Sequence, residues 1–268
     1  SNISIDKYIN NKEKDDKILL AQVSDKIEMC ENKNKIEYTD FLDLAQIELV
    51  QNYIDKLKIE NYMSYGGFEQ AERKMFVIYP EKFNSTVVEK NLASIVKIVR
   101  IQLPDELKGK YTHRDYLGAV IKLGVKREKV GDIIVGNDGA DIIVDKDISK
   151  FLLENLSGLT RFSKSEITIE EIDNLRTVEV RREEREIIVS SLRMDNVISE
   201  LARCSRNKAL DIINMERVFV NFQCETKKTK QIKTGDMVTI RGKGRFYIKE
   251  LVGQTKSGRV IVKIEKFV

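Results

Sequence analysis

The chain has 268 residues, 41% of them hydrophobic and 34% charged, with a net charge of +4. That length suits about two domains, the apolar share is enough for a core, and no apolar run approaches the roughly 20 residues of a membrane span. The first 17 residues mix Asp, Glu, Lys and Asn without an apolar stretch, so no signal peptide is expected. Cys30, Cys204 and Cys224 are scattered and form no CxxC pair, which points to a reducing cytoplasm and to no zinc or redox motif.

Residues 1–72 read as a helical N-terminal domain. Apolar positions from Phe41 to Leu57 recur at three and four residues, with Asp40 as the expected N-cap and Gly66-Gly67 as a turn beyond the helix. Residues 73–185 read as an α+β domain. Met75 to Tyr79 is a short apolar run closed by Pro80, and β-branched Ile95 to Ile101 reads as a strand. Thr112 is placed to cap a helix, with Asp115 three residues on as a shortened capping box, Tyr116, Ala119, Val120 and Leu123 as its inner stripe, and Gly124 as its stop. Asp132–Val135 and Ala140–Val144 read as strands around a turn at residues 136–139, Ile148–Leu156 as a helix, and residues 167–180 as holding a further strand. This βαββαβ order is ferredoxin-like, the order also used by RNA-recognition-motif (RRM) domains.

Residues 186–268 read as an αα-β domain with a β-hairpin extension. Asp195 is the expected cap of a helix bearing Val197, Ile198 and Leu201, and Ser205 of one bearing Ala209, Leu210, Ile212 and Ile213. The joint contains no Gly or Pro, so Ser205 is expected to end one helix and start the next. Strands follow at residues 218–222 and 237–240, then a hairpin turning near Lys256-Ser257-Gly258.

Charge divides along the same line. Residues 176–268 hold 21 Lys/Arg against 12 Asp/Glu, a net of +9, while the other 175 residues hold 26 against 31, a net of −5. The C-terminal third is therefore suited to a polyanion. Arg193 precedes the first helix, and Arg203, Arg206 and Lys208 crowd the joint, where a helix N-terminus offers free N–H groups and the positive end of its dipole to phosphate. Arginine's planar fork favours bidentate phosphate contact. Ser205 caps this end, and Lys243 and Arg245 extend the basic surface. His113 and Arg114, at the start of another helix, form a candidate second ligand site.

The segments Leu192-Arg193-Met194-Asp195, Ser205-Arg206-Asn207-Lys208-Ala209, Val218-Phe219-Val220-Asn221 and Gly235-Asp236 together resemble the S-four RNA-binding domain, named for small-subunit ribosomal protein four. Two positions depart from it: Glu216 and Phe222 stand where that domain usually has Gly. Further segments extend the likeness over nearly the whole chain: Gly66-Gly67-Phe68, residues 71–74, residues 113–118, residues 123–133 and residues 241–245 with Phe246. With them the chain resembles the YlmH family. The resemblance implies an N-terminal domain, an RRM-like middle and an S-four domain. It also implies association with large-subunit ribosomal RNA and peptidyl-tRNA in ribosome-associated quality control; an older association of the family is with cell division.

Recognisable catalytic machinery is missing. His113-Arg114-Asp115 has the order of a kinase catalytic loop, but Val120 stands where Asn must hold magnesium. His113 is the single histidine, so a conventional triad lacks its parts. A pseudouridine synthase would need Leu between Arg114 and Asp115, and Gly242-Lys243-Gly244 is too short for a phosphate loop. The expectation is a non-enzymatic factor, without cofactor, metal or membrane insertion, that grips structured RNA. The alternatives are an RNA-modifying enzyme with its site in the middle domain and a cell-division adaptor.

Overall fold

A computed structural model describes residues 2–177 and 182–267; the end of the strand expected over 167–180 lies outside the described residues. The fold is α+β. It packs as two compact units, residues 18–178 and residues 1–17 with 179–268. In chain order the elements of the first part are α1 (Asn2–Lys33), β1 (Glu37–Tyr38), α2 (Leu44–Lys56), β2 (Tyr62–Tyr65), β3 (Met75–Ile78), α3 (Ser85–Ala93), β4 (Val96–Gln102), α4 (His113–Lys122), β5 (Val130–Gly136), β6 (Gly139–Asp145), α5 (Lys146–Asn155) and β7 (Glu166–Glu171). Then come β8 (Arg182–Val189), α6 (Met194–Ala202), α7 (Arg206–Asn214), β9 (Val218–Val220), β10 (Gln223–Cys224), β11 (Met237–Ile240), β12 (Gly244–Gln254) and β13 (Val260–Phe267).

In the unit of residues 18–178, β4, β5, β6 and β7 form an antiparallel sheet in the order β5-β6-β4-β7. With α4 and α5 between its strands this is the split βαβ arrangement the sequence predicts. Alternation along β4 and β6 sends Val99, Ile101, Ala140, Ile142 and Val144 to one face, under α4 and α5 with Tyr116, Leu152 and Phe162. Asp115 turns back to Thr112, accepting its N–H at 2.9 Å and its hydroxyl at 3.2 Å.

The opposite face, which in RRM domains presents aromatic side chains to unstacked bases, is covered here. Val96, Ile98 and Ile143 pack under Phe41, Met75, Val77, Val88 and Leu92. Farther along that face the fully buried Asp141 binds Arg100 at 2.8 and 3.0 Å and takes the Arg176 N–H at 2.9 Å. The strand β3 is buried on both sides, because its sheet (β1-β3-β2) carries α1 and α2 on the other face through Val23, Val50, Ile54 and Phe76.

Two expectations change. The first 72 residues are helical in α1 and α2 but also supply the short strands β1 and β2, whose partner β3 lies beyond Gly66-Gly67. The α2 cap is Asp43, which accepts the Gln46 N–H at 2.9 Å and forms a full capping box, while Asp40 instead pairs with Lys129 at 2.7 Å. Periodicity located the helix; the capping residue was set by which aspartate lies next to a terminal residue with free N–H groups.

Segments that are far apart in the sequence meet around Asp132. Its carboxylate accepts the N–H groups of Glu72 at 2.8 Å and Arg73 at 2.9 Å. Arg73 donates to the carbonyls of Val130, Phe41 and Arg127 at 3.0, 3.3 and 3.1 Å, and Arg127 donates to those of Val130 and Gly131 at 2.8 and 3.2 Å. Gly66 is required by space: a Cβ there would meet the Ala71 Cβ and lie 2.6 Å from the Arg73 carbonyl oxygen. Gly66→Ala is expected to destabilise the protein by roughly 1–3 kcal/mol through overpacking. A denaturant midpoint equal to wild type would show that the contact is not tight.

In the other unit β8 to β13 form an antiparallel sheet in the order β10-β9-β11-β12-β13-β8. One face packs on α6 and α7 through Val197, Ile198, Leu201, Ala209, Ile213, Val238, Phe246 and Ile264. The hairpin of β12 and β13 turns at residues 255–259, as expected. The charged stretch from Arg182 was not expected to be a strand, yet it pairs along the length of β13. Its charges form a ladder, with Glu184 held by Lys249 at 3.2 Å and Lys263 at 3.1 Å, and Arg182 by Glu265 at 3.1 Å. Charged side chains on this edge strand also discourage edge-to-edge association.

Candidate nucleic-acid interface

The helix pair is built around one carboxylate. Arg193 is the N-cap residue of α6, so Asp195 sits in its first turn and is not the cap. Asp195 is fully buried. It accepts Arg193 Nη2 at 3.0 Å, Arg206 Nη2 at 3.0 Å and the Asn196 N–H at 2.9 Å. Burial works to raise its carboxyl, but the guanidiniums of Arg206 and Arg193 and the Asn196 N–H outweigh it and hold the group below the ordinary 3.8. Two arginines from separate helices are thus fixed side by side, with 35% of the Arg193 side chain and 60% of the Arg206 side chain open to solvent.

Ser205 caps α7 by accepting the Lys208 N–H at 3.2 Å. It does not end α6. That role falls to Arg203, whose left-handed backbone (φ 52°) lets its N–H reach the Glu200 carbonyl at 3.3 Å. The side chains of Arg203, Arg206 and Lys208 are all exposed around the joint.

Sequence reasoning left out a third contributor. The N–H groups of Met194 and Asp195 donate to the carbonyls of Lys230 at 2.8 Å and Lys228 at 3.1 Å. The segment from Lys227 to Lys230 is thereby strapped across the N-terminus of α6, and Lys227 and Lys228 are exposed. The run Lys227-Lys228-Thr229-Lys230 was visible as a basic cluster, but nothing local placed it beside Arg193.

The structure does not bring Lys243 and Arg245 to the helix joint. Phe246 points into the core under α6 and α7, so strand alternation sends its neighbour Arg245 to the opposite face of the sheet. Lys243 is exposed in the turn before β12.

Both departures from the glycine pattern fall where glycine would be easiest: Glu216 has φ 56° and Phe222 has φ 68°. The left-handed region costs a side-chain-bearing residue about 1–2 kcal/mol. Glu216 also binds Lys12 at 2.7 Å. Burial works to lower the Lys12 ammonium, but Glu216 and Asp16 raise it above its usual range. Phe222 carries Arg245 over its ring at 5.4 Å, an exposed cation–π contact worth about 0.5–1 kcal/mol.

His113 and Arg114 occupy the first turn of α4, both with surface exposure. The protein around His113, and then the charge of Arg127, push its imidazole below 6.5, with Asp132 acting the other way. Burial, and then the neighbouring charge of Arg73, push Arg127 down to about 10. Asp115 is already engaged by Thr112 and lies 3.7 Å from Arg161.

The chain thus combines an α+β module of the ferredoxin-like order with a basic helix pair. Residues 94–176, the β4-to-β7 module, match the family model described as "Putative RNA-binding domain in YlmH". The chain is 28% identical over 257 residues to the "Ribosome-associated protein quality control protein P2" of Bacillus subtilis (strain 168), spanning 94% of this chain and 96% of that protein. A solved structure titled "Cell division protein ylmH from Streptococcus pneumoniae" aligns with a TM-score of 0.47 and 17% identity over 60% of this chain and 95% of that one. The expected resemblance to the YlmH family is borne out by the family match and the Bacillus relative. Among the described residues no helix is long and apolar enough to cross a membrane.

Two outcomes follow. Asp195→Asn should cost roughly 1–3 kcal/mol, because the amide keeps one acceptor oxygen, turns an N–H donor toward the arginines in place of the other and loses the charge. Because the folded carboxyl lies below 3.8, its stabilisation is complete above that pH and is lost as pH falls through the folded value. The stability gap between wild type and Asp195→Asn should therefore narrow on acidification, and a gap that is constant with pH would reject the carboxylate's role. His113, the one imidazole in the sequence, should titrate by NMR with a midpoint below 6.5; a midpoint at or above that value would contradict its desolvation by the surrounding protein and the nearby charge of Arg127.

Proposed function

We propose that the chain is a non-enzymatic RNA-binding factor that grips structured RNA through its C-terminal basic unit. The observation that carries this is the Asp195 clamp. A buried carboxylate holds Arg193 and Arg206 in fixed register beside the Lys227–Lys230 strap, and most of the Arg206 fork still faces solvent. Such a preorganised pair suits phosphate oxygens, since little side-chain entropy remains to be lost on binding. Arg193, Arg203, Arg206, Lys208, Lys227 and Lys228 are the proposed phosphate contacts, with Ser205 as the cap that orients α7. Lys243 and Arg245 act on a separate surface, and His113 and Arg114 are a second ligand contact.

The S-four-like segments support reading the part from β8 to β13, residues 182–267, as an RNA-binding domain, after an RRM-like module from β4 to β7 and an N-terminal region whose short strands pair with β3. In the middle domain the sheet face is already buried, so contacts to RNA there fall to its helices and loops. The name of the Bacillus relative supports a role in ribosome-associated quality control in the cytoplasm. We infer the partners to be large-subunit ribosomal RNA and peptidyl-tRNA, recognised by shape, phosphate and 2′-hydroxyl contacts.

Co-sedimentation with purified ribosomal subunits across a salt series tests the reading. Wild type should follow the large subunit, and binding should weaken as salt rises. Arg206→Ala should bind more weakly and lower the salt slope by about 0.7 to 0.9, as for one lost phosphate contact. Asp195→Asn removes a negative charge, yet it should also bind more weakly, because the arginines lose their alignment. Absence of large-subunit binding at low salt would overturn the ribosomal assignment, and tighter binding by Asp195→Asn would reduce the interface to net charge.

A further inference from the structure

The tip of the hairpin between β9 and β10 carries a residue that the fold does not explain. Val220 pairs with Gln223, so Asn221 and Phe222 are the two central residues of the turn, with φ of 50° and 68°. Two successive positive φ values define the hairpin turn that strongly favours Asn-Gly. Asn221 meets that demand: its N–H donates to the Met237 carbonyl at 2.8 Å, its side-chain amide donates to Asp236 at 3.0 Å, and its side-chain oxygen accepts the Met237 N–H at 2.9 Å. Phe222 does not. A bulky residue in the left-handed region is an outlier, and this one gains little by burial, since 52% of its surface is open. What it does have is a fixed position, on a turn pinned by Asn221, with the Arg245 guanidinium 5.4 Å from its ring centre.

We propose that Phe222, backed by Arg245, is a stacking platform for an unpaired base of the bound RNA. The inference rests on the RNA-binding reading above and adds to it a contact on the opposite side of the sheet from the α6–α7 grip. Every base presents a π face, so an exposed aromatic ring gives affinity with little sequence preference, and an adjacent arginine adds stacking and charge. Backbone strain retained at an exposed site points to use of that site. It also separates function from folding here, because glycine at this position relieves the backbone while removing the ring.

The sequence contains no Trp, so Phe222→Trp places a single Trp at the site, excited selectively at the red edge of its absorption away from the nine tyrosines. The full chain as wild type, Phe222→Trp, Phe222→Leu and Phe222→Gly is titrated with two labelled RNAs: a stem–loop with an unpaired uridine loop, and the blunt duplex of the same stem. Binding is followed by anisotropy. The expected result is quenching of Trp emission by the stem–loop but not by the duplex. Phe222→Leu and Phe222→Gly should bind the stem–loop roughly five- to hundredfold more weakly, with duplex affinity unchanged and with Phe222→Gly melting no lower than wild type. If wild type binds the stem–loop while Trp emission stays constant, or if both Phe222→Leu and Phe222→Gly bind it as wild type does, the platform is wrong and RNA binding stands. If wild type binds neither RNA, the RNA-binding reading fails and the platform falls with it.

Discussion

A buried carboxylate that has to be neutralised organises the basic unit. Asp195 is out of contact with water, and an unpaired charge there would be strongly destabilising. It is satisfied by arginines from both sides of the helix joint, so the requirement that compensates its burial also aims the two guanidiniums. The backbone follows the same logic. The first N–H groups of α6 find carbonyls on the Lys228–Lys230 segment, which satisfies helix-end donors and carries lysines to the arginines. Stability and the arrangement of positive charge come from the same set of hydrogen bonds.

In the other unit, the four-stranded sheet is covered on both faces. One face is under α4 and α5; the other is under β3, α3 and Phe41. The Arg100–Asp141–Arg176 cluster closes the polar end of that second face. A ferredoxin-like order alone would suggest an open sheet able to stack bases, and here that surface is used for packing. The residues that support the family likeness around Gly66, Arg73, Arg127 and Asp132 are engaged in holding these segments together. Much of that motif is therefore explained by folding, without a ligand.

The limits of local reading are seen at particular residues. The cap at Ser205, the box of Thr112 and Asp115, and the hairpin after β12 were legible because each depends on neighbours within a few positions. Asp40 and Asp43 are both good caps by type, and the choice between them was made by the bonds of the Phe41 and Leu42 N–H groups to the Glu128 and Lys74 carbonyls, which keep that stretch out of the helix and leave Asp43 at its start. The strand β8 was missed because its alternation is of charge with charge, and it becomes regular only against β13. The matched RNA-binding domain carried no charge signal either: residues 94–176 hold 14 Lys/Arg and 14 Asp/Glu, a net of zero.

The sequence by itself determined the α+β class, the βαββαβ order, the concentration of positive charge in the last third and the family likeness, because periodicity, capping and composition are properties of short windows. Tertiary structure alone decided that Arg193 and Arg206 share one carboxylate, that the Lys227–Lys230 run lies across α6, and that Arg245 faces away from both. Each of those depends on which side of a sheet a residue emerges from or which distant carbonyl a helix end finds. Such pairings are settled by burial and hydrogen-bond satisfaction across tens of residues, which no short stretch of sequence contains.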